Sequence, residues 1–276
     1  MIWAIGFVCS IAVAGLAYWK KSLSASGAAA AVAVGTLLYA LGNLAWYGTL
    51  LAFFISSTLC SKWKHHRKAA AESGYAKGGR RDAGQVAANG GLGALFCVAH
   101  ALWPHPLWWS AFVGVMAAVN ADTWATEIGG LSRSAPRSIL TGRVVTAGTS
   151  GGITGLGLAA SAAGGLFIGA AAWLLQLGAA AHEALIAEGA VAELPFLLLL
   201  GLIGGMCGSL TDSLLGATYQ AMYRCPSCGR EVEKPQHCGV PAKRIRGLSF
   251  FTNDTVNMLS SLLGAAVCAG IGLLLS

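Results

Sequence analysis

Long apolar blocks alternate with short polar segments along the whole chain, and blocks such as 28–41 and 197–207 carry no charge. The pattern predicts eight membrane-spanning helices, at about 2–19, 26–41, 44–60, 84–103, 107–130, 152–176, 195–222 and 252–275. Residues 28–59 also read as one long tilted helix, which would leave seven spans and turn the N-terminus to the other side. The expected fold class is therefore all-α, a polytopic membrane helix bundle of 7 to 8 helices. One integral membrane domain fills residues 1–276, with a Cys- and His-containing loop at 223–251.

Composition supports the membrane and excludes a water-soluble domain. Hydrophobic residues make up 55% of the 276 and charged residues only 11%, about half the charged share of a soluble domain. The first block ends at Lys20 and Lys21 with no small-residue cleavage site, so it reads as a first span and not as a removed leader.

The net charge of +7 does not point to nucleic acid, because the basic residues sit in four separate clusters. These are Lys20 and Lys21, Lys62 to Arg81 (with the run Lys62, Lys64, His65, His66, Arg67, Lys68), Arg133 to Arg143, and Arg224 to Arg246. The connections between them lack Lys and Arg, and one carries Glu183, Glu188 and Glu193. If every basic cluster faces the cytoplasm, eight spans follow without conflict and both termini lie outside. The run Trp103, Pro104, His105, Pro106, Leu107, Trp108, Trp109 has the makeup of an aromatic belt at the outer interface, where His105 within it and the nearby His100 read as interface residues.

Charged groups near a bilayer core are costly, about 2.5–3.5 kcal/mol each on insertion scales. Several nevertheless sit at the cytoplasmic ends of the spans. Span four opens with Asp82, Gln85, Asn89 and Gly93 on one helical face. Span five holds Asn120, Asp122, Thr123 and Glu127. Asp122 lies about 140° around an ideal helix from Glu127, so both reach one site only if the helix breaks or the site spans two interfaces. In span seven Ser209, Asp212 and Gly216 continue a ridge begun by Gly204 and Gly208, which turns Asp212 toward a neighbouring helix. Span eight begins with Asn253 and Asp254, with Asn257 and Ser261 on the face of Asp254.

Two bare carboxylates 4 Å apart repel by about 4 kcal/mol at an effective dielectric of 20. Such a cluster needs cations or raised pKa values, and hard oxygen donors suit Mg²⁺ shared with a substrate phosphate. Asp82 and Asp254 also have a purely structural reading, since an acid in a first helical turn favours the helix dipole. The loop after span five adds Arg133, Arg137 and Arg143, then Thr149, Ser150, Gly151 and Gly152 before a helix. Arginines pair with phosphate in a bidentate manner, and a Gly- and hydroxyl-rich turn at a helix start presents backbone N–H groups to anions. The Gly-Lys-Ser/Thr of a P-loop is missing.

Cys225, Cys228, His237 and Cys238 place four metal-type ligands within 14 residues. They read either as a small structural Zn²⁺ site or as a reduced turn, since the cytoplasm disfavours disulfides. Cys9, Cys60, Cys97 and Cys268 read as small hydrophobes in or at the ends of spans.

The run Asn120 to Gly129 resembles the family called domain of unknown function 92, which includes transmembrane protein 19 and phytyl-phosphate kinases of plants and cyanobacteria. Further matching segments are Arg81-Asp82 with Gln85, Asn89 to Gly91, Gly148 to Gly152, Asp212 to Ala217, the Cys/His set, and Asn253-Asp254 with Val256-Asn257. The resemblance implies a Mg²⁺-dependent membrane kinase that phosphorylates a prenyl monophosphate (phytyl, farnesyl or geranylgeranyl phosphate) to the diphosphate. The donor would be a nucleoside triphosphate, with CTP favoured by analogy to lipid-alcohol kinases. It further implies Asp122, Glu127, Asp212 and Asp254 as metal and catalytic residues. Asp82, Asn89, Asn120, Arg137, Arg143, Thr149, Ser150, Gly151, Gly152, Asn253 and Asn257 would bind substrate or phosphates. The rival reading is a cation- or proton-coupled transporter or flippase of a lipid phosphate, which would need polar groups on a path to both membrane faces. The oligomeric state stays open.

Overall fold

The computed structural model describes residues 1–63, 74–183 and 192–275. Lys64, His65, His66, Arg67, Lys68 and Glu188 lie outside the described residues.

Among the described residues the chain forms eight long helices: α1 (Ile2–Trp19), α2 (Ala25–Gly42), α3 (Leu44–Lys62), α4 (Ala83–Leu102), α5 (Pro106–Gly129), α6 (Gly155–Glu183), α7 (Leu194–Thr218) and α8 (Asn253–Leu275). All but α5 are long and apolar enough to cross a membrane by length and composition. The fold is thus an all-α polytopic membrane bundle. At 24 residues, α5 is also long enough, about 36 Å, but Asp122, Glu127 and a run of small polar residues dilute its apolar character. It lies at the centre instead, packed on α6, α7 and α8 and touching α3 and α4. Every residue from Trp109 to Ala121 is buried.

Residues 28–59 form two helices, not one. The break is at Asn43, whose φ of 100° no helix continues. Its side chain instead accepts from the Ala45 N–H and caps α3. A π-helical turn, Leu38–Gly42, precedes the break, and a second one, Ala87–Gly91, interrupts α4. α6 starts at Gly155, three residues later than the pattern predicts, because Gly152–Ile153 (β2) pairs antiparallel with Arg137–Ser138 (β1). α7 ends at Thr218, short of 222, where Met222–Arg224 becomes β3 of a small sheet with Glu231–Val232 (β4) and Lys243–Arg246 (β7). Gln236–His237 (β5) and Val240–Pro241 (β6) form a separate hairpin.

Tight packing rests on small residues, which let helix backbones approach where lipid offers no hydrophobic drive. A Cβ built on Gly201 would lie 2.3 Å from the Gly165 carbonyl oxygen, and one on Gly208 would lie 2.2 Å from the Ala118 Cβ. Phe112, Val113, Val115 and Met116 fill the centre. In α1, by contrast, Ile2, Trp3, Phe7, Val8 and Leu16 are exposed, as a lipid-facing helix requires.

One end of each helix meets its neighbours at the same face of the bundle. Lys62 in α3 donates to the Lys20 carbonyl after α1, and the Ser24 N–H ahead of α2 donates to the Arg81 carbonyl ahead of α4. Gly129 closing α5 packs on Gly157 opening α6, and Asp212 of α7 meets Ser260 of α8. The connections 20–24, 130–154 and 219–252 and the described residues 74–82 therefore lie on one side, and with Lys62 they carry the described members of all four basic clusters. The aromatic group Trp46, His100, Trp109 and Phe112 gathers at the opposite end, with ring centroids 4.6–5.5 Å apart. Trp109 points into this core, so the expected belt keeps only its outer members, such as the exposed Trp103.

Candidate active site

A cleft of about 330 Å³ opens at the face where the basic connections gather. Asp122 and Glu127 of α5, Asp212 of α7, Asn89 of α4, Asn253 and Asn257 of α8, and Thr149 to Gly152 all line it. α5 is unbroken, so its two acids share the cleft by facing different neighbours. Glu127 accepts from Ser61 of α3 at 2.7 Å. Asp122 faces α7 and acts electrostatically on Asp212, which accepts from Ser260 at 3.3 Å. Among the described residues neither Asp122 nor Asp212 has a cationic partner. Asn257 donates to Asn89 at 3.3 Å beside the π-turn of α4, and Ser161 and Ser209 join across α6 and α7 at 2.8 Å.

Asp82 and Asp254 are not among the residues that line the cleft and meet it only through Lys77. Lys77 bridges them, 3.0 Å from Asp82 and in short contact with Asp254. Burial opposes the charge on Lys77, but the two carboxylates outweigh it and raise its pKa. Asp82 also caps α4 in a reciprocal box, accepting from the Gln85 N–H while Gln85 accepts from its own N–H. Burial works against ionisation of Asp82, yet these bonds and Lys77 bring its pKa below the ordinary carboxylate value.

Asn120, Arg137 and Arg143 stand apart from the cleft. Asn120 is fully buried. Its oxygen accepts from Ser56 and Ser57 of α3 and its nitrogen donates to the Gly164 carbonyl of α6, which ties three helices together. Arg137 donates to the Gly142 carbonyl within its own turn, and both arginines are exposed. The Gly-rich turn lines the cleft but does not open α6. The Thr149 and Gly152 N–H groups bond within the turn, and Thr154 caps the helix by accepting from the Gly157 N–H.

Among the described residues the guanidinium that lines the cleft is that of Arg81. It donates to Thr58 at 3.0 Å and lies over the rings of Phe53 and Phe54. Burial lowers its pKa, and the nearby charge of Glu127 partly restores it. Its place beside the Asp82 stripe was the signal in the sequence, although the basic cluster around it reads first as a topology determinant. Lys77, Gln220 and Glu233 also line the cleft, and no motif marks Glu233. Glu233 accepts from the Ala76 N–H at 3.2 Å, and burial raises its pKa.

The model of the integral membrane protein family DUF92 matches residues 8–265. The chain belongs to this family. "Protein PGR" of Arabidopsis thaliana is 32% identical over 271 residues, covering 93% of this chain and 91% of that protein. "Uncharacterized membrane protein MJ0933" of Methanocaldococcus jannaschii is 32% identical over 171 residues, 62% of this chain and 63% of its own length. No solved structure matches.

In this DUF92 chain the loop after α7 brings Cys225, Cys228, His237 and Cys238 together, with their ligand atoms all within 4.8 Å of one another. A tetrahedral Zn²⁺ with Zn–S bonds of about 2.3 Å spaces its sulfurs by about 3.8 Å, so the set has the right size. Adjacent His and Cys converge because Cys238 takes a left-handed φ of 52°, which folds its sulfur to 3.2 Å from the His237 Nδ1. Burial opposes ionisation of Cys225, but hydrogen bonds from His237 and from the N–H groups of Cys228 and Ser227 prevail and bring its thiol down to about 6. The same loop ends in β7, where Arg246 donates to the Ala217 carbonyl at 2.7 Å and to the Ser150 carbonyl at 3.0 Å. The Gly-rich turn is thereby fixed to the end of α7.

Proposed function

We propose that this protein is a membrane kinase that transfers a phosphoryl group from a nucleoside triphosphate, CTP first among the donors, to a prenyl monophosphate. The observation that carries the reading is the gathering of Asp122, Glu127 and Asp212, from separate helices and helix faces, around one cleft with Arg81 and the Gly-rich turn. Two facing carboxylates that have no cationic partner among the described residues suit Mg²⁺, which would be held by Asp122 and Asp212, with Glu127 in reach of the same space. When bound, the ion offsets the charge of the phosphates.

Arg81 would pair with the acceptor phosphate, while the turn at Thr149 to Gly152 and the amides of Asn89, Asn253 and Asn257 orient the phosphates. An ionised oxygen of the acceptor forms a bond to the terminal phosphorus of the donor. The bond from that phosphorus to its bridging oxygen breaks, and the electron pair leaves with the nucleoside diphosphate. The acceptor oxygen carries no proton at neutral pH, so positioning and charge neutralisation suffice. The lid of the cleft would be the Cys/His loop, held by a structural Zn²⁺ on Cys225, Cys228, His237 and Cys238. The positive-inside rule puts this face in the cytoplasm.

The test is incubation of purified protein with Mg²⁺, labelled CTP or ATP, and phytyl, farnesyl or geranylgeranyl phosphate. Diphosphate is the expected product, and no turnover across the panel overturns the reading. Flux of lipid phosphate in proteoliposomes without nucleotide would support a transporter instead.

A further inference from the structure

Residues 74–82 form a strap from the Cys/His loop to the start of α4. One end is held by Glu233, whose N–H donates to the Gly74 carbonyl at 2.9 Å and whose carboxylate accepts from the Ala76 N–H at 3.2 Å. The other end is held to the turn between α1 and α2. There Arg80 Nε donates to the Leu23 carbonyl and the Arg81 N–H to the Ser22 carbonyl, each at 3.0 Å. Between these anchors Lys77, Gly78 and Gly79 line the cleft. A Cβ on either glycine would meet nothing within 4 Å among the described residues, so the middle of the strap is unpacked.

Lys77 turns to Asp82 and Asp254, neither of which lines the cleft. Gly84 makes room for this clasp, since a Cβ there would lie 2.7 Å from the Asp254 Oδ2 and 3.0 Å from the Lys77 Nζ. The clasp is partly open to water, with 36% of the Lys77 side chain, 40% of Asp82 and 23% of Asp254 exposed. Ion pairs exposed to this degree bind weakly, so a more highly charged anion can take the lysine. Asp82 keeps its bond to the Gln85 N–H in that event, and water reaches Asp254. The charge of the cleft favours the exchange. Among the described lining residues Asp122, Glu127, Asp212 and Glu233 are acidic, and the basic side chains are Lys77 and Arg81. A phosphate entering beside those acids needs positive charge from the wall. Arg81 is pinned by Thr58 and two rings, whereas Lys77 carries its ammonium on a flexible four-carbon stem with rotatable donors.

We infer that Lys77 is a phosphate-binding residue held in reserve, clasped by Asp82 and Asp254 at rest and drawn off them by a phosphate group in the cleft. The inference rests on the kinase reading for the presence of phosphates there. The exchange swaps hydrogen bonds only, and no proton or covalent bond moves. Asp82 and Asp254 become positioning residues that compete with the ligand, which puts Asp254 outside the metal set that the resemblance implies.

The test uses the full chain in nanodiscs with Mg²⁺. It measures the Kd of labelled CTP by equilibrium dialysis and the KM of CTP and of farnesyl phosphate by diphosphate formed. Lys77→Gln is expected to weaken one of the two ligands about tenfold or more. Asp254→Asn frees the lysine and is expected to tighten the same ligand about two- to fivefold. Opposite shifts for CTP assign Lys77 to the donor phosphates, and opposite shifts for farnesyl phosphate assign it to the acceptor. A clasp that only ties α4 to α8 would move both variants the same way, with both melting temperatures lowered. That pattern, or any other without opposite shifts in folded variants, overturns the inference. If Lys77→Gln does not fold, Asp254→Asn decides by itself, since a purely structural clasp gives no gain in affinity. If no diphosphate forms yet CTP binding shifts in opposite directions, the kinase reading fails and Lys77 stands as a nucleotide ligand. If diphosphate forms without opposite shifts, the kinase stands and the role of Lys77 fails; if neither is seen, both fail.

Discussion

Asp122 and Asp212 face one another across α5 and α7 with hydroxyl neighbours and, among the described residues, no cation. That arrangement is costly unless a ligand neutralises it. Asp212→Asn keeps the shape and the Ser260 contact but removes the charge. It is expected to lower kcat by about 100-fold or more, measured as diphosphate formed at saturating Mg²⁺ and nucleotide, while the melting temperature of the metal-free protein in detergent does not fall and rises with the relieved repulsion. Asn120 offers the contrast. Its amide is spent on Ser56, Ser57 and Gly164, so Asn120→Ala strands buried polar partners and is expected to cost about 1–3 kcal/mol of stability. Thermal unfolding should fall while turnover per folded molecule is retained, and the reverse result would return Asn120 to the site.

At the scale of elements, the loop after α7 links a metal-type centre to the cleft. Its β7 strand carries Arg246 to the Ser150 carbonyl, and Glu233, just after β4, lines the cleft. Metal analysis of the purified chain is expected to give one zinc per molecule. Cys228→Ser should lose it, with faster proteolysis of the 223–251 loop and reduced turnover as the turn at Ser150 loosens. A chain free of zinc and fully active would leave the Cys/His set as a plain turn. The π-turn at Ala87–Gly91 serves the same face in another way. It adds a residue to the helical turn and so re-aims Asn89 toward the Asn257 of α8.

Across the described residues, the alternation of eight helices puts the described parts of the basic connections and the cleft on one side. A cysteine introduced at Ser134 should be labelled from the cytoplasmic side, and one at His105 from the other side. Each is read as an increment over the native cysteines with a membrane-impermeant thiol reagent. Equal labelling from one side would break the topology and, with it, the placement of the cleft at the inner surface.

The spans were legible in the sequence because a bilayer punishes any unpaired backbone and any stray charge, so the apolar blocks carry the fold almost unaided. α5 was legible too, expected at 107–130 and found at Pro106–Gly129, although its hydropathy is below that of the other seven, since a central helix surrounded by protein needs no lipid-facing coat. The acids Asp122, Glu127 and Asp212 stood out for the same energetic reason. The partners of those acids were not legible. Whether a basic residue turns into the cleft, as Arg81 does, or bonds within its own loop, as Arg137 does, depends on contacts between segments far apart in the chain. Asn120 and Asn89 look alike along the helix, and only packing against α3 and α6 in one case and α8 in the other separates a structural tie from a cleft wall. The convergence of His237 and Cys238 likewise hung on one left-handed residue, a backbone choice that residue spacing does not encode.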